Sequence, residues 1–126
     1  MDYVVRRGLA LTLLVVLATG GAYAAGDPVS GKALFARCII CHKTTKDSGN
    51  GLGPNLFGVA GRKAGSVAGF AYSTAMKNSA ITWSEVNLAA YIADPKGTVP
   101  GNRMVFAGLA NHTQADDVAA YLMTLK

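Results

Sequence analysis

Cys38 and Cys41, with the histidine that follows them, form the pentapeptide Cys38-Ile39-Ile40-Cys41-His42. They are the chain's only cysteines. Two are too few for a disulfide scaffold and lie too close together to close a long loop, so their chemistry is local. C-x-x-C-H is the attachment signature of c-type haem. The spacing suits that chemistry: thiols at the end of a helical turn add to the two vinyl groups of one porphyrin, and the next side chain then lies under the ring. Two rival chemistries also use paired cysteines. A redox dithiol needs a βαβ setting that this chain lacks, and a zinc site needs more ligands where only His112 remains. The pentapeptide is read as covalent haem attachment through Cys38 and Cys41, with His42 on the iron.

A second axial position would have four candidates beyond the first 25 residues: Met76, Met104, Met123 and His112. Met76 and Met123 fall on expected helices, where a methionine usually fills core, and a lone histidine is usually a surface residue. Met104 instead sits in a loop between Pro100-Gly101 and Phe106-x-Gly108.

The elements that must position these groups follow from capping signals and apolar spacing. Asp27-Pro28 pairs an N-cap with proline at the first helical position, which predicts a helix running up to Cys38. Between Lys43 and Phe70 seven glycines and Pro54 exclude regular structure, and so long a coil needs something to wrap around. A short helix is expected after Tyr72 with Ser73 as its cap. Thr82-x-x-Glu85 reads as a capping box for a helix that Pro95 ends, and Thr113-x-x-Asp116 as the same device for the last helix. Nothing alternates cleanly enough to be a strand. The class is all-α, with three to five helices and long loops, and the apolar side chains are too few to hold those loops without a cofactor.

The first 25 residues read differently from the rest. Arg6-Arg7 precede a ten-residue apolar run, Leu9 to Ala18, and Ala22-Tyr23-Ala24 supplies small residues for cleavage. That order marks a secretory signal peptide over 1–25, cleaved near Ala24 or Ala25, ahead of one domain over 26–126. The run is too short for a membrane anchor, which needs about 20 apolar residues. The net charge of +5 falls to +4 without Asp2, Arg6 and Arg7, and no run of Lys/Arg exceeds two. That is no charge pattern for binding nucleic acid.

From about Gly31 to Leu125 the chain resembles the class I cytochromes c of the mitochondrial and purple-bacterial type. The resemblance rests on the pentapeptide and on Gly53-Pro54-Asn55-Leu56-x-Gly58, Gly61-Arg62-Lys63-x-Gly65, Phe70-x-Tyr72-Ser73, Ile81-Thr82-Trp83, Tyr91, Asp94-Pro95-Lys96, Pro100-Gly101-x-x-Met104 and Phe106-x-Gly108, in that order. It implies a small cytochrome c fold around one covalent haem c, with His42 and Met104 as metal ligands. It further implies that the Pro54 carbonyl accepts from the non-ligating nitrogen of His42 and that Tyr91 approaches the Met104 sulfur. Arg62, Tyr72, Ser73 and Trp83 are expected around the propionates, Phe106 beside the haem, and Gly31 and Phe35 where the first helix crosses the last near Val118 and Tyr121. Two positions depart from the family pattern: Met76 stands where an asparagine is common, and Asn102 where a propionate-binding threonine is frequent.

The resemblance thus implies a soluble periplasmic carrier of single electrons, monomeric and not an enzyme. Its expected partners are redox proteins such as a cytochrome bc1-type complex, a dehydrogenase or a terminal oxidase, docking at a haem edge rimmed by Arg37, Lys43, Lys96 and Arg103. Asp116 and Asp117 are expected behind that edge. Two other possibilities stand beside it: a haem peroxidase or gas-binding protein if Met104 is not a ligand, and a membrane-associated redox subunit.

Overall fold

In the computed structural model, which describes Val15 and residues 25–126, the helices are α1 (Pro28–Leu34), α2 (Thr74–Asn78), α3 (Glu85–Ala93), α4 (Pro95–Thr98) and α5 (His112–Leu122). A 3₁₀ turn, Phe35–Arg37, prolongs α1 to the first cysteine. But for Val15 and Ala25, the expected leader lies outside the described residues. The all-α expectation holds: among the described residues the only β pairing is an isolated antiparallel bridge between Lys63 and Thr82.

Asp27 caps α1 as its sequence predicts, accepting from the backbone N–H groups of Val29 and Ser30 at 3.0 and 3.2 Å. Hydrogen bonds from the Ser30 hydroxyl and from those amides hold its carboxyl below the usual carboxylate range. The same residue ties the two ends of the domain together, because its own N–H donates to Asp117 Oδ1 on α5 at 2.7 Å. The helices cross at Gly31. A Cβ there would sit 1.9 Å from the Asp117 carbonyl oxygen and 3.0 Å from Tyr121 Cβ. Phe35 follows one turn later, its ring centroid 5.2 Å from that of Tyr121 at 56°. Phe35 and Val118 are both 2% exposed, and each such burial is worth about 1.5–3 kcal/mol.

Two helix starts differ from expectation. Thr82 does not cap α3; Ser84 does, accepting from Asn87 N–H at 3.1 Å. The reason is the bridge: Trp83 N–H donates to the Arg62 carbonyl at 2.9 Å, which keeps this stretch extended until Ser84. The last helix starts at His112, with Asn111 accepting from Gln114 N–H at 3.2 Å, so Thr113 lies inside its first turn. Asparagine is the better cap of the two. Ser73 caps α2 as expected, and α3 ends before Pro95. The short α4 carries no periodic signal in the sequence. Asp94 both closes α3 and caps α4, accepting from Gly97 N–H at 2.9 Å, while Thr98 Oγ1 donates back to the Ala90 carbonyl at 3.1 Å.

After α2 the chain turns through Ala80 at φ +56°, left-handed geometry that costs a residue with a Cβ about 1–2 kcal/mol. Ala80→Gly is expected to raise stability by about 1 kcal/mol, less what glycine loses in the unfolded chain. Gly31→Val, which must force α1 off α5, is expected to cost about 3 kcal/mol or more. Denaturant melts of the two variants beside the parent protein check both signs.

Candidate haem-binding site

The pentapeptide is wound by its own backbone. Cys38 N–H donates to Phe35 O at 2.8 Å, Cys41 N–H to Cys38 O at 3.1 Å and His42 N–H to Cys38 O at 2.9 Å. This winding puts both thiols and the imidazole on the wall of one cavity of about 700 Å³. The two cysteines are not joined to each other, and burial pushes the Cys38 thiol above its ordinary pKa, an effect that Arg37 opposes and Cys41 adds to. A raised pKa is the opposite of what a redox dithiol needs. No cluster of three His, Cys, Asp or Glu that could hold a metal occurs among the described residues, which speaks against the zinc alternative.

His42 is oriented by the neighbouring loop. Its Nδ1 lies 2.8 Å from the Pro54 carbonyl, which can only accept, so Nδ1 carries the proton and Nε2 keeps its lone pair. Burial pushes the imidazole pKa down against the pull of that hydrogen bond, which favours the neutral, ligating form. Gly53 makes the approach possible: a Cβ there would come within 2.4 Å of His42 Cε1 and 2.7 Å of Nδ1. The loop that presents Pro54 is fastened on both sides. Gly53 N–H donates to Cys41 O at 2.9 Å and Leu56 N–H to Lys43 O at 2.9 Å.

Asparagines complete that loop, in roles that the chemistry-bearing motifs do not announce. Asn55 Nδ2 donates to Thr45 O at 2.9 Å, its Oδ1 accepts from Phe57 N–H at 2.8 Å, and Asn50 Oδ1 accepts from Asn55 N–H at 2.9 Å. Asparagines among so many glycines are a signal for such side-chain turns.

Met104 lines the same cavity. Tyr91 approaches its sulfur as the resemblance implies, with the hydroxyl 4.0 Å from Sδ. Burial pushes the Tyr91 pKa up to about 12, so the hydroxyl keeps its proton and remains a donor at neutral pH. Trp83 packs beside it, ring centroids 5.2 Å apart.

The propionate group of residues, Arg62, Tyr72, Ser73 and Trp83, also lies on the cavity wall, as does Phe106. Several of their polar atoms are already engaged. Arg62 donates to Phe57 O at 3.1 Å and to Asn55 O at 2.9 Å, Tyr72 Oη accepts from Val67 N–H at 3.2 Å, and Ser73 Oγ accepts from Met76 N–H at 3.1 Å. These bonds leave guanidinium N–H groups and both hydroxyl protons for carboxylates. Paired thiols, a neutral imidazole, a thioether and a few donors in one largely apolar cavity fit a haem with two carboxylates and two axial positions.

The basic rim is only partly a rim. Arg37 and Arg103 line the cavity, and Lys96 and Arg103 line an adjoining groove of about 400 Å³ with Met104, Val105 and Phe106. Lys43 lines neither; its Nζ donates to Ser48 O at 2.8 Å within its own loop. Arg103 is exposed yet also structural, donating to Ala71 O at 2.6 Å. Asp116 and Asp117 stay on the α1 side of α5 and outside both cavities.

Residues 28–126 match the family model described as cytochrome c. The chain is 50% identical over 106 residues to cytochrome c2 of Rhodomicrobium vannielii, which covers 84% of this chain and 85% of that protein. It is 49% identical over 102 residues to cytochrome c2 of Rhodoblastus acidophilus, covering 81% and 95%. Among solved structures, cytochrome cH from Methylobacterium extorquens superposes with a TM-score of 0.73 at 45% identity, covering 79% of this chain and 99% of that one. With the attachment pentapeptide, the cavity and these similarities in agreement, the chain belongs to the cytochrome c family of haem-binding electron-transfer proteins.

Proposed function

We propose that this cytochrome c is a soluble periplasmic shuttle for single electrons, with Cys38 and Cys41 holding one haem c and His42 and Met104 filling its axial positions. The haem supplies a one-electron iron couple. The observation that carries the proposal is the meeting of both thiols, the His42 imidazole and the Met104 thioether in one cavity. With a side chain at each axial position no coordination site stays open for a substrate, so the protein's task is tuning and delivery. Pro54 fixes the His42 tautomer and raises its donor strength. Tyr91 holds the thioether by its sulfur, and a thioether opposite the imidazole favours the reduced iron.

The cytochromes c2 among the relatives support an exported carrier. No helix among the described residues is long and apolar enough to cross a membrane. We place the contact with redox partners, of the bc1-type, dehydrogenase or terminal-oxidase kind, at the cavity mouth near Arg37, Lys96 and Arg103. Lys43 adds charge from the neighbouring loop. Such a patch speeds encounter with an acidic partner without holding it long.

Protein recovered from the periplasm is expected to have the mass of a chain starting at Ala25 or Gly26 plus one haem, and acid-butanone should leave that haem attached. Haem released into the organic phase would contradict attachment, and an intact leader would favour a membrane-associated subunit. Met104→Ala is expected to abolish the near-infrared sulfur-to-iron band of the ferric protein, lower its potential and admit carbon monoxide to the ferrous iron. Retention of the band would remove Met104 as ligand, and rapid carbon monoxide binding by the unaltered protein would favour the gas-binding reading.

Electron transfer to an acidic partner is expected to slow as salt rises, since exposed charges are screened beyond about 8 Å at physiological ionic strength. Lys96→Glu should lower the association rate and Asp116→Lys should leave it unchanged or raise it, both readable by stopped flow. A rate indifferent to salt would point to an apolar contact through exposed Ile39 and Val105, with Phe106 beside them.

A further inference from the structure

The segment that carries Met104 leaves α4 at Val99 and turns back through Pro100 and Gly101. Asn102 ties this segment from within, using both ends of its side-chain amide. Nδ2 donates to Pro95 O and to Val99 O, each at 2.9 Å, and Oδ1 accepts from the backbone N–H of Met104 at 2.9 Å. The carbonyls it grips belong to the short α4 and its C-cap, and Thr98 fastens that turn to α3 through Ala90 O at 3.1 Å. Tyr91, also on α3, meets the Met104 sulfur at 4.0 Å. The backbone and the sulfur of Met104 are therefore referred to the same helix by two separate contacts.

On its outer side the segment has little room to shift. Gly101 adopts φ +87°, and a Cβ on it would stand 3.2 Å from Ala75 Cβ on α2. Arg103 is fastened to Ala71 O. A hydroxyl in place of Asn102 has one proton to give and could not bond both carbonyls at once. An aspartate would keep the acceptor for Met104 N–H while turning a charged oxygen toward two carbonyl oxygens.

We propose that Asn102 is a positioning residue for the axial thioether: it sets how long Met104 stays on the iron, and by that the potential and the closure of the haem pocket. This rests on the assignment of Met104 as ligand. The test uses purified haem-loaded ferric protein, with added imidazole as the probe that captures the iron whenever the thioether leaves.

Asn102→Ala is expected to speed capture by about tenfold, which corresponds to about 1.4 kcal/mol and is the share of the one bond it makes to Met104 itself among the three that are lost, and to weaken the near-infrared band. Asn102→Asp should behave at least as badly. Asn102→Ser, whose hydroxyl can still accept from Met104 N–H, should recover part of the parent rate. Asn111→Ala removes the cap of α5 at a residue that lines neither cavity; it should lower the melting temperature and leave capture unchanged. If Asn102→Ala lowers the melting temperature yet captures imidazole at the parent rate, Asn102 is merely structural and the proposal is overturned. If the unaltered protein has no near-infrared band and Met104→Ala captures imidazole at its rate, the ligand assignment fails and takes the proposal with it.

Discussion

A cavity of about 700 Å³ lies at the centre of this chain, and the helices and loops of the domain are arranged around it. Its wall includes apolar side chains of the core, among them Phe35, Met76, Trp83, Leu88, Val118 and Leu122, which a bound haem would cover. The cofactor is accordingly part of the core, and folding and function draw on the same contacts. The glycine-rich coil between Lys43 and Phe70 follows from this constraint, since it packs on the cavity rather than on a layer of secondary structure.

The groups we assign to the cofactor and its support come from three distant segments, and each is placed by a different device. The pentapeptide is delivered by α1 and its 3₁₀ extension, which the crossing at Gly31 pins to α5. The Pro54 carbonyl is delivered by a loop whose asparagines supply the turns. Met104 is delivered by the turn after α4, with Asn102 and Tyr91 holding its two ends. A carrier of single electrons benefits from this rigidity, because a ligand set that does not move between oxidation states leaves little to reorganise.

Much of the arrangement is legible in the sequence because the signals are local. Asp27-Pro28 and Ser73 cap the helices they announce, and all eleven residues expected around the cofactor line one cavity. The features that sequence does not reveal depend on tertiary context. Thr82 matches a capping box, but its pairing with Lys63 keeps that stretch extended and passes the cap to Ser84. The single turn of α4 exists because Asp94 serves two helices at once, which no periodicity reveals. Lys43 reads as a rim charge, yet its ammonium turns to Ser48 O within its own loop and lines neither cavity. Asn102 registers in the sequence only as a departure from a family pattern, while its work depends on three backbone groups that the fold brings to it.

The claim that the cofactor is the centre of the core is tested most directly by a chain that cannot attach it. Cys38→Ala/Cys41→Ala, produced as the mature chain and freed of haem, should give far-UV circular dichroism with little helix and no cooperative melt. Helical content equal to that of the haem-loaded protein, lost in a single cooperative transition, would contradict the account.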